Sequence, residues 1–129
     1  MAPAAHPRNL VPYAFAMADP TQLVTEYFNR VEAGRHDVAD LFAEDAELVG
    51  LGTTVRGRPA IADFYAGVIA NAGPSPELRG PLLAGGNRVA AEILVRVDGA
   101  PSVPVVDLFE ADGGLITRLT YYVADPGSD

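Results

Sequence analysis

The hydrophobic period of this chain changes once along its length, and that change limits the folds open to it. Up to about residue 71, apolar residues recur at three- and four-residue spacing. From Arg88 to Val123 they alternate with polar ones. Helices first and an antiparallel meander last predict an α+β domain, with three N-terminal helices gathered on one face of a curved antiparallel sheet. With 129 residues the chain makes one domain, burying roughly two thirds of its unfolded surface. Apolar residues at 49% and charged residues at 20% exclude global disorder.

The first helix opens at Asp19-Pro20-Thr21-Gln22, with acid at the N-cap, proline at the first helical position and glutamine at N3. Leu23, Val24, Tyr27, Phe28 and Val31 follow at helical spacing, and Gly34 ends the element. A short helix is predicted from His36 to Ala43, burying Val38, Leu41 and Phe42, and then a strand from Ala46 to Leu51. Gly57-Arg58-Pro59 opens a third helix with a buried stripe of Ile61, Phe64, Tyr65, Val68 and Ile69, stopped by Asn71-Ala72-Gly73-Pro74. Strands follow over Arg88–Val97, Val103–Phe109 and Leu115–Val123, separated by an Asp98-Gly99 hairpin and an Ala111-Asp112-Gly113-Gly114 turn. Residues 1–18 are expected to form a flexible leader, 19–125 the domain and 126–129 a flexible tail.

Several function classes are excluded by what the chain lacks. Without cysteine there is no disulfide, thiol nucleophile or cysteine metal site, and His6 and His36 are the only histidines. No metal or organic cofactor is expected. A net charge of −8 argues against nucleic acid or an anionic membrane as partner. No run reaches the ~18 apolar residues of a membrane span, and the N-terminus is a poor signal peptide, so a cytoplasmic location is expected.

Asp107 is the most informative residue. Alternation puts it on the face of Val103, Val105 and Phe109, where a carboxylate loses solvation and its pKa rises unless a donor or cation meets it. The spacing admits two readings, a functional acid or a rim acid in a structural ion pair. Tyr27 and Tyr65 lie on apolar helix stripes and read as core residues by spacing, each hydroxyl needing a partner. His36 stands at a helix start, in a solvated or capping position. The strand Val103–Phe109 is apolar on both faces, so the face bearing Leu94, Val106 and Leu108 needs a cover, and a homodimer supplies one.

Tyr27-Phe28-Asn29-Arg30-Val31-Glu32-Ala33-Gly34, Leu41-Phe42-Ala43-Glu44-Asp45-Ala46, Val55 to Tyr65 and Asp107-Leu108-Phe109 with Asp112 to Ile116 carry a family resemblance. From Asp19 to Val123 the chain resembles the SnoaL-like and ketosteroid isomerase branch of the nuclear transport factor two-like superfamily. That resemblance implies a cone-shaped fold hosting isomerases, cyclases, dehydratases and plain binding subunits. In ketosteroid isomerases a first-helix tyrosine and a protonated strand aspartic acid form the oxyanion hole. Tyr27 and Asp107 match these, and Tyr65 matches a supporting tyrosine, while Phe42 replaces another. The family's general base lies five residues after the Asp of the Ala-acid-Asp-Ala turn. Here that count, from Asp45, reaches Gly50. A missing base costs about 10²–10⁴-fold in rate.

The resemblance and the alternation together imply a mostly apolar pocket. Its expected lining is Val31, Leu48, Gly50, Phe64, Val68, Ile93, Val105, Leu119 and Tyr121, with Tyr27 and Asp107 at the deep end. Such a pocket suits a steroid-like or polyketide-like ring carrying one carbonyl or phenolate oxygen. The expected activity is enolate stabilisation of a hydrophobic cyclic ketone by an enzyme of isomerase or lyase type. The alternative is a non-catalytic small-molecule binding protein of the same fold.

Overall fold

A computed structural model describes residues 19–50, 52–71, 75–96 and 102–124. Helix α1 spans Pro20–Glu32 and begins with the capping box read from the sequence. The Asp19 carboxylate accepts from the Gln22 N–H at 2.8 Å, and the Gln22 side chain accepts from the Asp19 N–H at 3.2 Å. A cap of this kind stabilises by about 1 kcal/mol. At the other end Gly34 takes φ +67°, the Arg35 N–H reaches the Arg30 carbonyl at 2.9 Å, and the Gly34 N–H reaches the Val31 carbonyl at 3.0 Å. This paired reversal needs a residue that tolerates a left-handed backbone, and glycine supplies it.

The second helical segment differs from expectation. It is a 3₁₀ helix over His36–Leu41, and Phe42 and Ala43 already belong to strand β1, Phe42–Gly50. Val38 and Leu41 are three residues apart, which stacks them on one face of a three-residue turn, and both are buried. The start of β1 is hidden in the sequence because alternation breaks within it. Its register against the last strand shifts between Phe42 and Glu47, leaving both Glu44 and Asp45 exposed.

Strand β2 (Thr53–Arg56) returns along β1, and helix α2 spans Arg58–Asn71. Strands β3 (Ser75–Leu78), β4 (Leu83–Gly85), β5 (Arg88–Arg96), β6 (Val103–Asp112) and β7 (Leu115–Val123) complete the sheet. Its order is β2-β1-β7-β6-β5-β3, with β4 also on β5. β3 and β4 escape a pattern reading because one carries Pro76 and the other is fully exposed. The Asp98-Gly99 turn, the Ala72-Gly73-Pro74 stop, the leader and the tail lie outside the described residues. On either side of that turn β5 and β6 pair antiparallel, from Arg88↔Glu110 to Val95↔Val103.

The sheet is mixed, whereas an antiparallel one was expected: β1 and β7 run parallel. Alternation reports which face a residue occupies and says nothing of direction. Only a hairpin fixes an antiparallel pair, and β1 and β7 share none. The β6–β7 turn is also tighter than expected, since Asp112 pairs with Leu115 across Gly113 and Gly114, at φ +61° and +82°.

Both helices pack on the concave face, where Val24, Val38, Phe42, Ile61, Phe109, Ile116 and Leu119 are fully buried. On α2, Ile61 and Tyr65 are buried, but Phe64, Val68 and Ile69 are only partly covered. No helix among the described residues is long and apolar enough to cross a membrane.

Candidate functional site

Phe64 and Val68 remain partly exposed because they face a cavity of about 390 Å³ between α1, α2 and the inner face of β5–β7. That volume lies within the ~300–1,000 Å³ common to small-molecule sites. Val31, Phe64, Val68, Ile93, Val105 and Tyr121 line it as expected, and Phe28, Pro76, Val95, Val103 and Val123 extend the apolar wall. The last five went unread because their positions depend on how far α1 and β3 reach along the sheet.

Three expected lining residues sit elsewhere. Leu48 and Gly50 border a separate void of about 20 Å³, and Leu119 is wholly enclosed in the core. Leu48 and Leu119 are partners across β1 and β7, and Leu119 faces Phe109 across β6. The aromatic layer of Tyr27 and Phe109, with ring centroids 5.0 Å apart, and Tyr27 and Phe42, 6.2 Å apart, fills the space toward α1. Gly50 is separated from the main cavity by Tyr121, which borders both spaces.

The polar groups gather at one part of this wall. The Tyr27 hydroxyl lies 2.7 Å from that of Tyr65, and the Tyr65 hydroxyl lies 2.8 Å from that of Tyr121. A chain of three phenols thus joins α1, α2 and β7, with all three rings on the cavity. Burial is the first cause raising the pKa of Tyr27 and Tyr65 well above the usual phenol value, and it raises Tyr121 as well. All three remain protonated donors through the physiological range.

Asp107 stands beside Tyr121, its direct partner across β6 and β7, and is 2% exposed. Its Oδ1 is buried without a hydrogen-bond partner. No cation offsets the loss of solvation, and burial alone pushes the carboxyl up to about 7. The rim-acid and ion-pair reading of Asp107 is therefore overturned. Its neutral form therefore persists to much higher pH than that of an exposed aspartic acid.

Tyr121 is the polar residue whose role sequence reasoning missed. Counting back from the Gly113-Gly114 turn pairs Asp107 with Thr120. A register shift between Glu110 and Ala111 adds one residue to β7 and brings Tyr121 opposite Asp107 instead. The signal was the spacing of Ile116 and Leu119: both are buried although three apart, which strict alternation forbids. Glu47, as expected, faces away and is held by Arg56 and Arg118. His36 is exposed and remote from the cavity. Among the described residues no group of three His, Asp or Glu side chains converges as metal ligands do.

Residues 24–119 match the family of the SnoaL-like domain. No curated protein matches the chain. Several solved structures share the fold at low identity. A proposed polyketide cyclase from Sinorhizobium meliloti is 21% identical, with a TM-score of 0.73 over 78% of this chain and 94% of that one. A proposed ketosteroid isomerase from Kribbella flavida is 20% identical, with a TM-score of 0.76 over 85% and 81%. A nuclear transport factor two-like protein from Cytophaga hutchinsonii is 15% identical, with a TM-score of 0.71 over 84% and 93%.

Proposed function

The chain belongs to the SnoaL-like domain family, and from that premise we propose that it stabilises the enolate of a hydrophobic cyclic ketone held in this cavity. The observation that carries the reading is Asp107: a carboxyl without a partner, buried in an otherwise apolar wall. Such a group destabilises the empty fold, so its presence is explained by a ligand that uses it. The ligand carbonyl accepts from neutral Asp107 and from Tyr27. When a proton leaves the adjacent carbon, its electron pair forms the C=C bond and the oxygen takes the negative charge. Both donors then bind the oxygen more strongly than before, which is the differential binding that lowers a barrier. The proton goes to water or to the ligand itself, since Gly50 offers no base. The names of two structural neighbours, a cyclase and an isomerase, support a ring ketone of polyketide or steroid type.

A specific observation favours a second reading, a non-catalytic binding protein. The place of the family's base is empty of side chain and closed by Tyr121. Proton exchange separates the two. A ring ketone incubated with the protein in heavy water should exchange its α-hydrogens faster than in buffer, followed by proton NMR. Tyr27→Phe and Asp107→Ala should each slow that exchange by about 10²–10³-fold, as loss of an oxyanion donor does. Binding without accelerated exchange would leave the protein a carrier.

The outer sheet face supports a homodimer. Val106 is 38% exposed and its cross-strand partner Tyr122 is 56% exposed, with Leu94, Pro104 and Leu108 beside them and Glu92 opposite Val106 on β5. A largely apolar stretch at the centre of a sheet is covered when a second copy packs on it.

A further inference from the structure

The enolate reading uses the deep end of the cavity and leaves its other end unassigned. Asp107 pairs with Ala91 on β5, whereas Pro76 of β3 pairs with Val95, four residues further along the same strand. At about 3.3 Å per residue that separation is about 13 Å, the reach of two or three fused rings with the hydrogen bond at their head. There the cavity meets a second one of about 320 Å³, between the last turns of α1 and the edge strand β3. Phe28 and Pro76 line both spaces, so a ligand whose ring fills the first presents its far end to the second.

The second cavity has a different chemistry. Phe28 and Pro76 give it an apolar side, and Asn29, Glu32, Glu77 and Arg96 give it a polar one. Arg96 Nη2 donates to Glu77 Oε1 at 2.8 Å, and this exposed pair leaves further guanidinium N–H groups and carboxylate lone pairs for other partners. The Asn29 amide adds both donor and acceptor atoms. A carboxylate or phosphate entering here would find the lining arginine already paired and two glutamates facing it. An ammonium group would meet the glutamates but also the arginine. A hydroxyl both donates and accepts, so it serves every one of these groups without bringing a charge to be desolvated. Several hydroxyls on a compact carbon frame also lay C–H groups against Phe28 and Pro76.

We propose that this second cavity is a subsite for an uncharged, hydroxyl-rich substituent, a glycosyl or polyol group, carried at the end of the ring opposite the ketone. Asn29 and Arg96 are its specificity-determining residues. The proposal rests on the reading of the apolar cavity as the ligand site, and the test keeps the two apart.

The probes are 2-naphthol, its 6-glucosyloxy derivative and its 6-cyclohexyloxy derivative, titrated into the protein by calorimetry. The cyclohexyl ring matches the sugar ring without its hydroxyls. The glucoside should bind roughly tenfold tighter than either of the others, the worth of one to two hydrogen bonds of average net strength. In the double variant Asn29→Ala with Arg96→Met that advantage should fall toward one, with 2-naphthol affinity unchanged. A glucoside no tighter than the cyclohexyl ether in the wild type, or an advantage undiminished in the double variant, overturns the proposal. So does a 6-(4-aminocyclohexyloxy) derivative that binds tighter than the glucoside, since the subsite would then select a cation. Both substituted positions are exposed, and if the double variant does not fold, the wild-type ranking of the probes decides. The underlying reading fails on different data, namely 2-naphthol affinity unchanged by both Tyr27→Phe and Asp107→Asn.

Discussion

Gly50 is packed directly against Tyr121. A Cβ at Gly50 would lie 2.8 Å from the Tyr121 Cβ and 3.0 Å from its carbonyl oxygen, and Gly50 has φ +148°. Neither neighbour is the mobile end of a side chain, so neither gives way cheaply. Position 50 is thus closed to a side chain by sterics, and Gly50→Asp would clash with Tyr121. Gly50→Ala should cost about 2–4 kcal/mol, combining overpacking with a strained backbone. Urea denaturation of the two proteins measures it, and a loss below about 0.5 kcal/mol would mean that β1 moves away from Tyr121.

Asp107 should make stability depend on pH. Its folded pKa of about 7 lies above the usual 3.8, so folding favours the protonated form. The contribution is fully present below the unfolded pKa, and is lost as pH rises from there through about 7. The whole change is on the order of 4 kcal/mol. Asp107→Asn keeps the shape and removes the charge, so its stability should be flatter between pH 4 and 8. Denaturation midpoints across that range test this, and parallel curves for the two proteins would contradict it.

Local chemistry was legible in the sequence and long-range geometry was not. Asp19, Gln22 and Gly34 announce both ends of α1 because each cap involves residues three to five apart. Asp107 reads as inward-facing because alternation needs only its own strand. The parallel β1–β7 pair and the contact of Gly50 with Tyr121 join strands far apart in sequence, and no local pattern encodes them. The extra residue that carries Tyr121 to Asp107 is nearer, on the adjoining strand, and left only the broken alternation of Ile116 and Leu119 as its trace. The hydroxyls of Tyr27 and Tyr65, on different helices, lie 2.7 Å apart, and that of Tyr121 on β7 lies 2.8 Å from Tyr65.

The phenol chain sets a rank order for stability. Tyr65→Phe removes the short hydroxyl contacts of both Tyr27, whose hydroxyl is buried, and Tyr121, leaving only the weaker contact between those two. Tyr27→Phe leaves Tyr65 still bonded to Tyr121. Tyr65→Phe should therefore cost more, about 1–3 kcal/mol, because it leaves buried polar groups poorly partnered. Denaturation of the two variants at one pH decides the order, and the reverse order would mean that the Tyr27–Tyr121 contact makes good the loss of Tyr65.

The outer face should hold two copies together. On it Val106 meets Tyr122 and Leu108 meets Thr120 across β6 and β7, and Leu94 meets Pro104 across β5 and β6. Glu92 stands beside Val106 on β5, and ion pairs of Arg118 with Glu47 and Glu110 lie along one border, so charged groups accompany the apolar residues of this face. A two-fold axis lays the patch on itself, so a single substitution acts twice. Val106→Glu would bury two like charges at the centre and should weaken association on the order of 100-fold or more, within the range of interface hot spots. Leu78→Glu is the control, since Leu78 is 43% exposed and, paired with Ile93 of the cavity wall, lies on the opposite face of the sheet. Sedimentation at increasing concentration should give a dimer for the wild type and for Leu78→Glu, and a monomer for Val106→Glu with unchanged circular dichroism. A wild type that sediments as a monomer at high concentration would leave Val106 and Tyr122 open to water and the dimer without support.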